Sequence, residues 1–241
     1  MSSRSMGLAL AAGAMLFAGC QGAAQPAVAP EPRMAAAGST SPVAPRCDVP
    51  GGVPAGAELL DVTQVDPTIR TDIRYATANN FTGRALPGYE SARALMRPAA
   101  ARALARVQAR LRGDGLGLKV FDAYRPIRAT QAMVQWASRT GNGWVLEQGY
   151  VARYSGHNRG NTVDLTVVDL RTGEELDMGT AYDTFSEAAH PANATGRVLE
   201  NRMRLARAMA AEGFQPYDKE WWHFRLPGDP EPLDYPIACY P

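Results

Sequence analysis

Tyr154-Ser155-Gly156-His157-Asn158-Arg159-Gly160-Asn161-Thr162-Val163-Asp164-Leu165-Thr166-Val167-Val168 joins a turn-rich run to an apolar one. Ser, Gly and Asn in the first half are turn chemistry. Val163 to Val168 is a short apolar run of strand length. Asp164 opens that strand, and a carboxylate facing a half-buried sheet needs a partner. Working outward, Leu118 to Asp122 alternates as a second strand, and Trp221 to Leu226 reads as a last one. Pro126 starts a helix with Met133, Val134 and Trp136 as its apolar face. Ala100, Leu104, Val107 and Leu111 recur at helical spacing between Pro98 and Arg112, and Gly113 and Gly115 stop that helix. A third helix is expected from Leu199 to Glu212, with Leu199, Met203, Ala206 and Met209 on one stripe and Gly213 as its cap. Leu59 to Val62 and Asp72 to Tyr75 look like short strands around an Asp66-Pro67 turn, and residues 77 to 90 like a loop. The pattern predicts a single α+β domain: a small antiparallel sheet with helices packed on it.

The chain has 241 residues, 46% hydrophobic and 20% charged, with 23 Gly, 18 Pro and 3 Cys. That composition excludes collagen-like, wholly disordered and disulfide-dense small scaffolds. Lys and Arg total 25 against 24 Asp and Glu, so no basic excess points to nucleic acid as a partner.

Residues 1 to 20 read as an export signal of lipoprotein type. Arg4 precedes an apolar run from Met6 to Ala18, too short for a stable bilayer span, and Ala18 and Gly19 stand directly before Cys20. Cys20 is the candidate for lipidation; the alternative is plain secretion with Cys20 in the discarded piece. Cleavage there removes Arg4 alone among charged residues and brings the formal charge to zero. Residues 21 to 46 are Ala, Pro, Gly and Ser with almost no large apolar group, a composition that reads as a disordered tether. The folded domain is expected over 47 to 241, with the protein periplasmic and touching the membrane only through its N-terminal lipid. Cys47 and Cys239 flank that domain, and an oxidising compartment favours a disulfide between them over two free thiols.

Three histidines exist, His157, His190 and His223. Two imidazoles and one carboxylate are a common ligand set for catalytic Zn²⁺, which keeps a fourth position open. His157, Asp164 and His223 supply that set. Glu220 is close to His223 and suits the removal of a proton from water in metal-assisted hydrolysis. The helical HExxH arrangement is absent. His190 has no partner spacing around it and reads as a surface or loop residue. Trp221 and Trp222 are expected to divide between core and pocket wall, because alternate strand residues face opposite sides.

The run Ser155-x-His157-x-x-Gly160-x-x-Val163-Asp164, followed far downstream by Glu220-x-x-His223, resembles the zinc peptidases that act on D-alanyl ends of peptidoglycan. Within that group the chain is most similar to the D-Ala-D-Ala dipeptidases of the VanX type. Three further stretches carry this likeness: Arg74-Tyr75-Ala76-Thr77-x-Asn79-Asn80-Phe81-Thr82-Gly83, Asp122-Ala123-Tyr124-Arg125-Pro126, and Asp177-Met178-Gly179-Thr180-x-Tyr182-Asp183-x-Phe185. Thr162 departs from the pattern, which usually has Ala there. The resemblance implies one Zn²⁺ on His157, Asp164 and His223, with Glu220 as general base and then acid. It implies Arg125 at the oxyanion, and Asp183 on the substrate ammonium, aided by Asp122 and the region of Tyr75. Ser155 would contact the substrate near its carboxylate. As bare residues, Asp183 is equally a turn cap and Arg125 equally a buried ion-pair partner.

The function so implied is hydrolysis of the small dipeptide D-alanyl-D-alanine in peptidoglycan turnover or metabolism. The alternatives are a carboxypeptidase or murein endopeptidase on longer wall peptides, and a wall-binding module without catalysis. The last should have lost a ligand or the base, and all four are present.

Overall fold

In the computed structural model, Cys47 and residues 49–241 are described. The expected signal, the candidate lipidation site Cys20 and the expected tether all lie outside these residues. The chain runs β1 (Leu60–Asp61), α1 (Val62–Val65), β2 (Arg70–Thr71), β3 (Leu95–Met96), α2 (Pro98–Arg112) and β4 (Leu116–Asp122). It continues with α3 (Ile127–Arg139), α4 (Trp144–Glu147), β5 (Thr162–Asp169), α5 (Gly196–Ala211), β6 (Gln215–Tyr217) and β7 (Glu220–Arg225). One sheet has the order β2-β4-β5-β7-β6, so the strand opened by Asp164 lies in its middle. All of β5 but its last residue is buried, which is why its sequence is nearly continuous in apolar and β-branched residues. Helices α2 and α5 pack on one another and against β4 and β5, giving the α+β layering expected. A second, two-stranded sheet joins β1 and β3.

Three expectations need correction. The sheet is mixed, because β2 pairs parallel to β4 through Arg70–Lys119 and Thr71–Val120. Leu59 to Val62 yields only two strand residues before the Asp61 side chain accepts from the Thr63 amide and caps a helical turn. Asp72 to Tyr75 is no strand; Arg74–Ala76 forms a 3₁₀ turn instead.

Helix α2 has the predicted bounds. In α3 the buried face is Ala129, Met133 and Ala137, while Val134 and Trp136 are only half-buried. Helix α5 turns Leu205, Ala208 and Met209 inward and leaves Met203 exposed. Its buried face also carries Arg202, whose guanidinium donates to the carbonyls of Met178, Ala188 and His190. Those bonds tie the loop that bears Asp183 to the helix. Cys47 and Cys239 are joined in a disulfide that closes the domain end to end.

Candidate metal centre

The site grows from one row of the sheet. Asp122 on β4 is the cross-strand partner of Asp164 on β5, and Asp164 that of His223 on β7. A register shift between Val120 and Asp122 re-aims the end of β4. His157 arrives from the 3₁₀ turn Gly156–Arg159 just before β5. Ser155 caps that turn: its Oγ accepts from the His157 amide at 3.2 Å, and Asn158 Oδ1 accepts from the Ser155 amide at 3.1 Å. Gly160 ends it with φ 74°, and a Cβ there would meet Leu59 Cδ2 at 2.7 Å, so both conformation and space call for glycine. Asn158 Nδ2 donates to the Arg125 carbonyl at 2.8 Å, lacing the His157 turn to the end of β4.

The ligand atoms of His157, Asp164 and His223 all lie within 4.8 Å of one another. His157 Nδ1 donates to the Ala123 carbonyl at 2.7 Å, which leaves Nε2 as the bare nitrogen facing inward. That Nε2 is 3.3 Å from His223 Nδ1 and 3.2 Å from Asp164 Oδ1, and His223 Nδ1 is 3.0 Å from the same oxygen. Asp164 Oδ1 is buried and has no hydrogen-bond partner. Lone pairs converging on an orphaned carboxylate oxygen fit a cation, and two imidazoles with one carboxylate fit Zn²⁺. Burial would raise the pKa of Asp164, but His157 and His223 outweigh it and hold the carboxyl well below the usual range. Burial lowers the pKa of His223, which favours the neutral, ligating imidazole.

A cavity of about 220 Å³ opens beside this trio. Its wall includes Glu220, Arg125, Asp183, Tyr75 and Ser155, so most of the predicted site residues meet there. Glu220 Oε2 is 3.6 Å from His223 Nδ1. Burial, together with Asp164 and Asp183, pushes its pKa well above the ordinary carboxylate value. Asp183 is pushed up to about 8 by burial and by Asp164, against the opposing pull of Tyr75 and Arg125. It has φ 60°, the left-handed region that side-chain-bearing residues seldom adopt, and it is the one such non-glycine among the described residues. That backbone turns its carboxylate to the Tyr75 hydroxyl, which donates to both oxygens at 3.0 and 3.1 Å.

Asp122, expected to aid at the substrate ammonium, stands away from the cavity surface. It is wholly buried, does not line the cavity, and accepts from Arg125 and from the Tyr89 hydroxyl. Its place is behind Arg125, whose guanidinium also stands 5.0 Å from the Tyr75 ring centre. Thr162 is packed against Gly156, where a Cβ would meet its Oγ1 at 2.7 Å. Trp222 lines the cavity, while buried Trp221 donates its Nε1 to Thr180 Oγ1 at 2.8 Å. His190 is half-buried behind the cavity, 3.1 Å from the hydroxyl of the wall residue Tyr150.

Sequence reasoning missed Tyr150 and Tyr217 in the wall, and named Phe185 and Tyr182 only as motif positions: Phe185 lines the wall, and Tyr182 donates to Asp164 Oδ2 at 3.0 Å. Tyr182 stands beside Asp183, but no spacing ties it to a strand eighteen residues upstream.

A three-ligand metal site with a buried carboxylate and a guanidinium in its wall defines a metal-dependent hydrolase. Residues 55–241 match the model of the M15 peptidases, described as D-Ala-D-Ala dipeptidase, and the chain belongs to that family. It is 39% identical over 188 residues to a D-alanyl-D-alanine dipeptidase of Streptomyces coelicolor, covering 70% of this chain and 93% of the relative. It is 37% identical over 182 residues to one from Enterococcus faecalis, covering 69% and 90%. A crystal structure of the vancomycin resistance D,D-pentapeptidase VanY with Zn(II) aligns with 56% of this chain and 74% of that one, at 20% identity and a TM-score of 0.36.

Proposed function

We propose that this chain hydrolyses free D-alanyl-D-alanine to two D-alanines, with Zn²⁺ held by His157, Asp164 and His223. One observation carries the reading: a cavity of about 220 Å³ is lined by both the ligand trio and the Asp183 carboxylate. A cavity with an anchor for an ammonium as well as a metal suits a substrate with two free ends. The dipeptidase relatives support the same substrate.

Bound zinc supplies Lewis-acid polarisation of the scissile carbonyl and makes water more acidic. The chain's own residues do the rest. Glu220 takes the proton from the attacking water, a step its raised pKa favours, and returns it to the leaving amine. Arg125 faces the oxygen of the carbonyl as negative charge develops there, an interaction stronger in the transition state than in the ground state. Asp183, held by Tyr75, pairs the substrate ammonium. Ser155 serves the carboxylate end.

We further propose export, with residues 1 to 20 as a lipoprotein-type signal, Cys20 as the lipidated residue, residues 21 to 46 as a tether, and a role in peptidoglycan turnover. The Cys47–Cys239 disulfide supports an oxidising compartment. Cys20→Ser should then release the protein from membranes or leave it uncleaved.

The test of activity is direct. Protein stripped by a strong chelator should not cut D-Ala-D-Ala, added Zn²⁺ should restore the reaction, and L-Ala-L-Ala should be a poor substrate. Full activity after verified metal removal would end the zinc assignment.

A further inference from the structure

The two oxygens of Asp164 keep different company. Oδ1 faces His157 Nε2 and His223 Nδ1 and has no hydrogen-bond partner. Oδ2 accepts from the Tyr182 hydroxyl at 3.0 Å and from no other group among the described residues. The nearest cation, Arg125 Nη2, stands 3.9 Å from Oδ2, beyond hydrogen-bond reach.

Tyr182 is itself held in place. Its ring stacks on Phe121 with centroids 4.7 Å apart and planes at 23°, and it meets Trp222 edge-on at 5.4 Å. Its other neighbour is the Tyr75 hydroxyl at 3.1 Å. Tyr182 has one proton and two acceptors in reach, the Tyr75 hydroxyl and Asp164 Oδ2; the ionised carboxylate oxygen can only accept and is the stronger acceptor, so the proton lies toward Asp164, while Tyr75 gives its own to Asp183. Each phenol thus serves one carboxylate.

A carboxylate free to turn can offer a metal one oxygen or two. A hydrogen bond to one oxygen fixes the plane of the group and occupies that oxygen's lone pair. We propose that Tyr182 is a positioning residue of the metal centre: its hydroxyl holds Oδ2 of Asp164 and leaves Oδ1 to ligate alone. This rests on the reading of His157, Asp164 and His223 as the zinc ligands.

The experiment removes one oxygen. Zinc affinity is measured by chelator competition for the wild type, Tyr182→Phe, Tyr75→Phe and His157→Ala, at a temperature where circular dichroism shows every metal-free protein folded. The visible spectrum of each Co²⁺-loaded protein is recorded beside it. Tyr182→Phe should bind zinc roughly 10–100-fold more weakly, the usual loss when a group supporting a ligand is removed, and should shift the cobalt bands. Tyr75→Phe should stay within about 3-fold of the wild type, because its hydroxyl serves Asp183 and not Asp164. Wild-type affinity and an unchanged cobalt spectrum in Tyr182→Phe overturn the proposal, as does an equal loss in Tyr75→Phe. If His157→Ala keeps wild-type affinity, the ligand assignment fails and takes the Tyr182 role with it. If His157→Ala loses zinc while Tyr182→Phe does not, only the Tyr182 role fails.

Discussion

Arg125 grips a single oxygen of Asp122 with two nitrogens, Nε at 3.0 Å and Nη2 at 2.8 Å from Oδ2. Both side chains are buried, so neither charge is screened by water. The pair fixes the guanidinium in the cavity wall, with Nη1 left against Met133 Sδ. Asp122→Ala should destabilise the protein by about 3–5 kcal/mol, the usual result of leaving one buried charge without its partner. Urea denaturation checks this. Arg125→Lys keeps a charge but loses the planar fork, and should lower kcat by roughly 10²-fold, as removal of an oxyanion donor does. A Lys variant with wild-type kcat would show that Arg125 is only the counter-ion of Asp122.

Glu220 lies within reach of His223 yet outside the ligand trio. Glu220→Ala should therefore keep one zinc per chain and lose at least ~10²-fold in turnover, the scale of a lost general acid–base group. Metal analysis of the purified variant separates the two roles. A metal-free Glu220→Ala protein would make Glu220 a ligand.

Where packing and sequence period agree, the fold is legible in the chain. Pro98–Arg112 follows from its period and its Pro and Gly ends, and Thr162–Asp169 from its apolar run. Arg70–Thr71 was not legible, because two exposed polar residues become a strand only through parallel pairing with a partner some fifty residues away. The stripe on α5 was misplaced because Arg202 is buried for its hydrogen bonds to loop carbonyls, a reason hydropathy does not register. In the site, ligand chemistry marked His157, Asp164 and His223. The burial of Asp122 behind Arg125 was not legible, because an aspartate behind a wall residue and one in the wall leave the same letter in the sequence.

Asp183 gives the metal-free protein a pH dependence of stability. Its pKa rises from about 3.9 in an unfolded chain to about 8 in the fold, through burial and the nearby Asp164. The folded state then keeps a proton that the unfolded state has lost. Its contribution is full below about pH 4 and disappears as pH rises toward 8. His223 acts the other way, since burial lowers its pKa and stability rises toward the unfolded value of about 6.5. Asp164, held low, contributes a constant amount above about pH 4. Comparing wild type with Asp183→Asn isolates the first effect. Asp183→Asn should gain stability relative to the wild type between pH 5 and pH 8, read from thermal melting of both metal-free proteins. A difference that does not change with pH would refute the raised pKa.

Substrate length is decided at the same residue. A free dipeptide brings an ammonium to Asp183, whose carboxylate has only the Tyr75 hydroxyl as a hydrogen-bond partner among the described residues. An N-acylated peptide has no ammonium there, so the Asp183 carboxyl, its pKa already pushed up to about 8, would lose its charged partner and be covered as the acid. The extra chain must also pass the wall that Tyr75, Phe81 and Phe185 form. A site built around a polar partner rejects an analogue lacking it far more strongly than an apolar pocket rejects a missing methylene. Free D-Ala-D-Ala should therefore be cut at least ~10³-fold better, by kcat/KM, than an N-acylated peptide with the same end. Asp183→Ala should narrow that gap by losing the dipeptide, since the walls that exclude the longer chain remain. Efficient release of terminal D-Ala from the acylated peptide by the wild type would favour a carboxypeptidase instead, because only an open cleft could admit the peptide and leave Asp183 unpaired.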